Sequence, residues 1–113
     1  MIDIERLRSI ALSLPETTEE PHFEKTSFRI NKKIFATATA GGDKAMVKLS
    51  PAQQDIFCTF SSTVIYPVPN KWGQQGATFV NLQTVTEEML TQLLKTAYCD
   101  IAPKHLAALI SFE

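Results

Sequence analysis

Residues 66–82 read YPVPNKWGQQGATFVNL, and this stretch decides how the rest of the chain is arranged. It holds the only tryptophan of the chain, two of its six prolines and two of its four glycines. Proline fixes φ and withholds an amide from a sheet, whereas glycine adopts backbone shapes that are closed to other residues. The stretch is therefore predicted to be a shaped connection between two strands, and such connections often carry function.

Alternation of apolar and polar residues predicts strands on both sides of this connection. The first three strands are separated by turn signals at Asn31 and Lys32 and at residues 41–43, so they are expected to form an antiparallel meander. The predicted strands cover residues 25–30, 33–40, 44–49, 62–66 and 77–82.

Apolar residues at helical spacing predict four helices. The first covers residues 3–14, and residues 16–24 after it, which carry four carboxylates and a histidine, are predicted to form a loop. The long helix opens at Thr84 or Thr86 and has the clearest apolar stripe. Its residues predicted to be buried are Leu90, Leu93, Leu94, Ala97 and Tyr98.

Two shorter helices complete the chain. Ser50, Pro51 and Gln53 form a capping box that starts a helix running to about residue 60, and Pro103 starts the last helix. The residues expected to face the core from these helices are Ile56, Phe57, Phe60, Leu106, Leu109 and Ile110.

Length and composition place this chain among globular proteins of one domain. It has 113 residues, of which 44% are hydrophobic and 20% charged. We expect a single α+β domain over residues 1–113, with an antiparallel sheet of about five strands covered on one face by the first and the long helix. The acidic amino terminus is unlike a secretory signal and no 18-residue apolar stretch occurs, so a cytoplasmic protein without a membrane segment is expected.

The positive charge is concentrated in one part of the chain. Residues 25–71 carry seven basic and two acidic residues, whereas the net charge of the whole chain is only −1. Strand alternation brings several of these side chains to one surface, which would suit phosphates. The alternative is an ordinary solvated sheet face, which the sequence pI of about 6.1 favours. The candidate residues are Arg29, Lys33, Lys44 and Lys48 in strands, with Lys25, Lys32 and Lys71 at their ends.

Trp72 is the candidate stacking residue of the connection. Beside Lys71, an exposed indole would offer a flat face to a nucleic-acid base. Asn70 and the two glutamines after Gly73 are candidates for groove edges, or simply turn formers. The competing prediction, favoured by the usual behaviour of tryptophan, is that Trp72 folds back and plugs the open end of the core.

The sequence contains no recognisable catalytic or metal motif. His22 lies among Glu19, Glu20 and Glu24, but the spacing fits no established ligand set, so we expect a surface histidine and no metal. Cys58 and Cys99 are lone cysteines that fit buried thiols of a reducing compartment, with a disulfide between them as the less favoured alternative. No nucleophile motif and no phosphate-cradling loop occurs, so neither an enzyme nor a cofactor is predicted.

The order of the elements, together with several short motifs, resembles the MmcQ/YjbR family of small bacterial proteins over nearly the whole chain. The motifs that carry the resemblance are Leu14-Pro15-Glu16, Glu20, His22-Phe23, Lys33-Ile34-Phe35-Ala36, Leu49-Ser50-Pro51, Asn70-Lys71-Trp72-Gly73, Gly76 and Ala97-Tyr98. One position departs from it: Ala77 stands where the resemblance implies an aromatic residue, so a ligand surface built on that ring is not expected here.

The resemblance implies a fold that has been compared both to double-wing DNA-binding domains and to the frataxin-like (CyaY-like) fold. It also implies the DNA-binding or regulatory role with which members of the family are commonly labelled. DNA is then the expected partner, with Arg29, Lys33, Lys44, Lys48, Asn70, Lys71 and Trp72 as its contacts. The alternative is a module that binds a small molecule or a protein through residues 66–82 and the open sheet face.

Overall fold

The structure is a computed structural model that describes residues 1–39 and 42–112. Within these residues, six strands form one antiparallel sheet with the order β1-β2-β3-β4-β6-β5. The strands are β1 (Thr18–His22), β2 (Lys25–Ile30), β3 (Lys33–Ala38), β4 (Lys44–Lys48), β5 (Ile65–Pro67) and β6 (Ala77–Asn81). The helices are α1 (Ile4–Leu12), α2 (Pro51–Cys58), α3 (Lys71–Gln74), α4 (Glu87–Ile101) and α5 (Lys104–Ala107). The predicted α+β fold with an antiparallel sheet is confirmed.

Local sequence signals set the ends of several elements. The Ser50 side chain accepts from the Gln53 amide at 3.2 Å and the Gln53 side chain accepts from the Ser50 amide at 2.9 Å, which is the predicted capping box. Thr86 caps α4 through its side-chain oxygen. Asn31 and Lys32 form the predicted tight turn with φ of 51° and 66°, since a two-residue hairpin connection favours positive φ at both positions.

One face of the sheet packs against α4, whose predicted stripe is confirmed in full. The ring of Tyr98 meets the ring of Phe35 edge-on at a centroid distance of 5.7 Å. The Tyr98 hydroxyl donates to the carbonyl of Pro15 at 2.6 Å, so α4 is fixed both to the sheet and to the segment after α1. The fully buried residues of the stripe are Leu90, Leu93, Leu94, Ala97 and Tyr98.

A β-bulge shapes the covered face of β3. The register passes from Phe28 opposite Ala36 to Arg29 opposite Ile34, which leaves Phe35 as an extra residue. Neighbours in a regular strand point to opposite faces, but here Phe35 and Ala36 are both completely buried. Because of the bulge, two neighbouring residues of β3, Phe35 and Ala36, both contribute side chains to the core.

The predicted loop over residues 16–24 contains the edge strand β1, which is a correction. The residues of β1 are polar and include Pro21, so they give no alternating apolar signal. The strand is held by contacts from elsewhere in the chain: Arg8 donates to Glu19 at 2.6 Å and the Ser27 hydroxyl donates to the Glu20 carbonyl at 2.8 Å. Tertiary pairing thus decides the structure of this segment.

The predicted burial of α2 and of the last helix is partly wrong. Ile56 is 62% exposed and Phe60 is 65% exposed, and the buried residue of α2 is Gln54. The helix ends at Cys58, so Phe60 lies beyond it. In the last helix Leu106 is buried as predicted, whereas Leu109, beyond the end of α5 at residue 107, is 67% exposed.

The remaining differences concern boundaries. The predicted strand over residues 62–66 forms later, as β5, and the predicted strand over residues 33–40 ends at Ala38. Ala40 of that prediction, and Gly41 of the predicted turn, lie outside the described residues. In the part of the chain that the structure describes, no helix has the length and apolar character needed to cross a bilayer.

Candidate nucleic-acid interface

The face of the sheet opposite α4 is only partly covered. Residues opposite each other in antiparallel strands share a face. One row of such partners crosses all six strands and consists of Glu20, Ser27, Thr37, Met46, Phe79 and Tyr66. Alternation within β2 and β4 adds Lys25, Arg29, Lys44 and Lys48 to the same surface. We call these ten residues the open face.

Four predicted basic residues lie on the open face, but not all of the predicted set do. Lys44 places its Nζ 4.6 Å from the centre of the Phe79 ring, so charge and aromatic surface are adjacent. Lys33 pairs with Ile30, whose side chain is in the core, and therefore lies at the hairpin end outside the open face. Lys71 lies in α3, where its Nζ is 5.6 Å from the centre of the Trp72 ring.

Arg29 is tied to the sheet. Its Nε donates to the Ser27 hydroxyl at 2.8 Å, and one of its terminal nitrogens donates to the Pro21 carbonyl at 3.2 Å. The guanidinium thus spans β1 and β2 at one side of the open face. Held in this way, it is a preorganised positive charge and loses little side-chain freedom when an anion binds.

The segment between β5 and β6 is folded into α3 and presents Trp72. The Asn70 side chain accepts from the Trp72 amide at 2.8 Å and so caps this turn. A Cβ on Gly73 would come 1.8 Å from the Val68 carbonyl oxygen, and one on Gly76, where φ is +111°, would come 1.8 Å from the Leu49 carbonyl oxygen. Only glycine permits this close packing at both positions.

Trp72 is 56% exposed, so the favoured prediction that it plugs the core is wrong. The turn that holds it is packed closely through the backbone at Gly73 and Gly76. The structure therefore leaves Trp72 beside the open face as an accessible flat ring, next to Lys71 as the sequence predicted.

Gln54 of α2 holds α3 in place, a role that the sequence patterns did not predict. Its amide nitrogen donates to the Gly73 carbonyl at 2.9 Å, to the Ala77 carbonyl at 3.0 Å and to the Thr78 hydroxyl at 3.1 Å. With 6% exposure it is one of four buried polar residues of the described chain. The only signal in the sequence is helical spacing, which places Gln54 on the same side of α2 as the predicted core residue Phe57, where an amide needs hydrogen-bond partners.

A cavity of about 390 Å³ opens between α3 and the β1–β2 edge of the sheet. Met46 and Phe79 of the open face line it, His22 and Lys25 lie on one side, and Trp72 lies on the other. Its remaining lining residues are Thr37, Val68, Asn70 and Ala77. Among the residues that the structure describes, no carboxylate lines this cavity, and its lining combines apolar and neutral polar side chains with one lysine, Lys25.

The acidic residues of the β1 segment surround a different cavity, of about 430 Å³. Glu19, Glu20 and Glu24 line it together with Arg8. A hydrogen bond from Arg8 holds the pKa of Glu19 below its ordinary value, against the opposing effect of burial. Among residues 1–39 and 42–112, no group of three histidine, cysteine or acidic side chains is placed to hold a metal ion.

His22 and the cysteines show no activated chemistry. The ring of His22 lies edge-on to the ring of Phe23 at a centroid distance of 4.9 Å. Cys58 and Cys99 are free and half-buried, and burial raises the pKa of both thiols. A raised pKa lowers the thiolate fraction, which is the reactive form, so neither thiol is a primed nucleophile.

The fold is similar to that of a Deinococcus radiodurans protein, DR2400, described by the domain DUF419. The two share 24% sequence identity at a TM-score of 0.77, and the match covers 93% of this chain and 82% of the other. At this identity the likeness shows the fold alone. No curated protein matches the chain.

A sequence family accounts for the greater part of the chain. Residues 12–99 match the family described as YjbR, and this range includes the whole sheet, α2, α3 and most of α4. It also includes Trp72, Gln54 and the lysines of the open face. The chain therefore belongs to the YjbR family.

Proposed function

We propose that this protein binds nucleic acid through the open face and the turn that carries Trp72. The observation that carries the proposal is the strand register, which brings Lys25, Lys44 and Lys48 to the same surface as Phe79. Phosphates supply most of the affinity in such interfaces, and lysines are their ordinary partners.

The distribution of charge supports this surface over the others. Among the residues that the structure describes, Lys25 lines the cavity beside Trp72 without a carboxylate, whereas three carboxylates line the cavity beside Glu19 together with Arg8 and Lys25. A polyanion is therefore favoured at the first cavity over the second. We therefore expect nucleic acid to dock on the protein in one orientation, although the net charge of the chain is only −1.

Salt dependence is the decisive measurement. If about four basic residues neutralise phosphates, the logarithm of affinity falls with the logarithm of salt concentration at a slope of roughly −3 to −4. Binding is followed by fluorescence anisotropy of labelled DNA, single-stranded and duplex, at micromolar protein. Absence of binding to both at low salt would overturn the proposal.

Lys44→Glu with Lys48→Glu tests the location of the site. Both residues are exposed on the open face, so the double variant is expected to keep the stability of the parent and to flatten the salt slope by about 2. Lys104→Glu, on α5, is the matched control and should leave both affinity and slope nearly unchanged. An equal loss from the control would place the phosphate contacts elsewhere.

A second candidate function is the binding of a neutral small molecule in the cavity beside Trp72. Its volume of about 390 Å³ lies within the range of small-molecule sites. Such a ligand would show almost no salt slope, which separates it from nucleic acid. For either function we propose a cytoplasmic protein without catalytic activity, since its two free thiols fit a reducing compartment.

A further inference from the structure

We propose that the nucleic acid is single-stranded and that one unpaired base enters the cavity between Trp72 and the β1–β2 edge, an inference that rests on the proposed nucleic-acid binding. The cavity measures about 390 Å³ and is open at the surface, so a single flat heterocycle with part of its sugar can enter from outside.

The floor of the cavity suits the face of a base. Met46, Phe79 and Val68 supply apolar contact, and the exposed indole of Trp72 supplies a stacking surface at one side. Phe79 also packs against Tyr66 at a centroid distance of 5.8 Å, which fixes the position of its ring. Stacking of this kind accepts every base, because each base has a π face.

The rim of the cavity suits the edge of a base. His22, Thr37 and Asn70 contribute imidazole, hydroxyl and amide groups to its lining. These groups match the donors and acceptors of a Watson–Crick edge, which is accessible only when a base is unpaired. In a duplex both the edge and the faces of each base are occupied by its neighbours, so a duplex has nothing to place in the cavity without flipping a base.

The three longer helices, α1, α2 and α4, offer no basic face for a major groove. Arg6 and Arg8 of α1 are each paired with a carboxylate, at 2.6 Å from Glu87 and Glu19 respectively. The sequence of α2 contains neither lysine nor arginine. The single basic residue of α4, Lys95, donates to the Ser111 carbonyl. None of these three helices therefore has the row of unpaired basic residues with which a helix usually reads a groove. Lys71 and Lys104 lie in α3 and α5, which have only four residues each, and four lysines lie in strands.

The test compares one oligonucleotide of about twelve nucleotides in three forms: single-stranded, annealed to its complement, and with abasic sites in place of its bases. The single strand is expected to bind at least tenfold more tightly than the other two, since base stacking on aromatic side chains accounts for a factor of this size. The single-stranded and abasic forms carry the same number of phosphates, so this pair isolates the base. The duplex carries twice as many phosphates at a higher charge density, so it would bind more tightly if phosphate contacts alone decided the affinity.

Trp72 provides a direct readout because it is the only tryptophan of the chain. Its fluorescence is expected to be quenched by the single strand and to change little with the abasic form at equal occupancy. Quenching by a bound base requires stacking or close contact, so this measurement tests the location of the base without any substitution.

Trp72→Ala removes the stacking surface from the side of the cavity. Trp72 is 56% exposed, so the variant is expected to fold with nearly the stability of the parent. It should lower the affinity for the single strand to that of the abasic form and leave the salt slope unchanged. Phe60→Ala, which removes a ring that is 65% exposed and lies outside the cavity lining, is the control and should have no effect.

The outcomes separate this inference from the proposed function. Equal or tighter binding of the duplex, equal binding of the abasic form, or an unaffected Trp72→Ala variant would overturn the single-stranded assignment while nucleic-acid binding stands. Failure of all three forms to bind at low salt would overturn both.

Discussion

The two faces of the sheet are built from the same strands but differ in what covers them. On the covered face, Phe28, Ala36, Val47 and Thr78 lie side by side across four strands, and all four are completely buried. The adjacent residue in each of these strands lies on the open face, where a second row consists of Ser27, Thr37, Met46 and Phe79. In the first row α4 packs against β3 and β4, and Gln54 of α2 donates to Thr78. In the second row Ser27 and Thr37 are buried as well, but Met46 and Phe79 remain partly exposed.

This difference shows which residues the fold requires and which it does not. A core needs apolar side chains, but Met46, Phe79 and Tyr66 are apolar or aromatic and remain partly exposed beside lysines. Apolar surface of this kind in the middle of a basic face is available to a ligand. The covered face therefore explains stability, and the open face is where binding is expected.

The largest expected effect separates two phenylalanines on opposite faces. Phe28→Ala on the covered face should lower the free energy of unfolding by about 3–5 kcal/mol, because it leaves a cavity in the core. Phe79→Ala on the open face should cost about 1 kcal/mol and abolish most nucleic-acid binding. Urea unfolding of both variants gives the comparison, and equal losses would show that the open face is part of the core.

The next effect concerns the packing that presents Trp72. Gly76→Ala combines a φ of +111° with a Cβ 1.8 Å from a backbone oxygen, so it should lower the free energy of unfolding by about 3 kcal/mol. Gln75→Ala, at the exposed neighbouring position, should change it by less than about 0.5 kcal/mol. Thermal unfolding of both proteins tests this, and a tolerated Gly76→Ala would show that the turn relaxes freely.

A smaller effect is expected where α2 holds the same turn. Gln54→Ala removes the hydrogen bonds to Gly73, Ala77 and Thr78 and should cost about 1–3 kcal/mol. Because these bonds position α3, the emission of Trp72 should also shift and nucleic-acid affinity should fall several-fold. Gln74→Ala, on the exposed side of α3, is the control. A stability loss without any change in the Trp72 emission would contradict the positioning role.

The smallest effect is the pH dependence of the contact between α1 and β1. The pKa of Glu19 is lowered from 4.5 by the hydrogen bond from Arg8, so the folded state binds fewer protons there than the unfolded state. The resulting stability is fully present above pH 4.5 and is lost as the pH falls through the lowered pKa. Since both side chains are partly exposed, it amounts to less than about 1 kcal/mol.

Glu19→Gln tests this contribution. The difference in unfolding free energy between the variant and the parent should be present at pH 6 and should shrink as the pH falls below 4.5. Urea unfolding at several pH values measures it, and Glu88→Gln in α4 is the control for the loss of one negative charge. A difference that stays constant down to pH 2 would show that the ion pair does not stabilise the fold.

Sequence patterns predicted the elements in which local and tertiary signals agree. The stripe of α4, the capping box at Ser50 and the turn at Asn31 and Lys32 were all found as predicted, because each has its own short-range pattern. The strand β1 was missed because its residues are polar and give no alternating apolar pattern; it forms by pairing with β2 and by accepting hydrogen bonds from Arg8 and Ser27.

The candidate site could be predicted only in part, because its residues come from separate elements whose relative positions have no local pattern. Alternation correctly places Lys44 and Lys48 on one face, since both belong to one regular strand. It does not show that Lys33 lies on the other side of the bulge, or that the cavity forms between Trp72 and His22, residues that are fifty positions apart. The anchoring by Gln54 likewise depends on where α2 lies against the sheet.

Both edge strands of the sheet, β1 and β5, contain a proline. Pro21 lies in β1 and Pro67 in β5, so neither edge offers an uninterrupted row of backbone donors. The glutamates beside Pro21 add repulsion between copies that approach through β1. Both features disfavour strand addition from a second molecule, the first step of fibrous aggregation, at edges near which aromatic side chains are exposed.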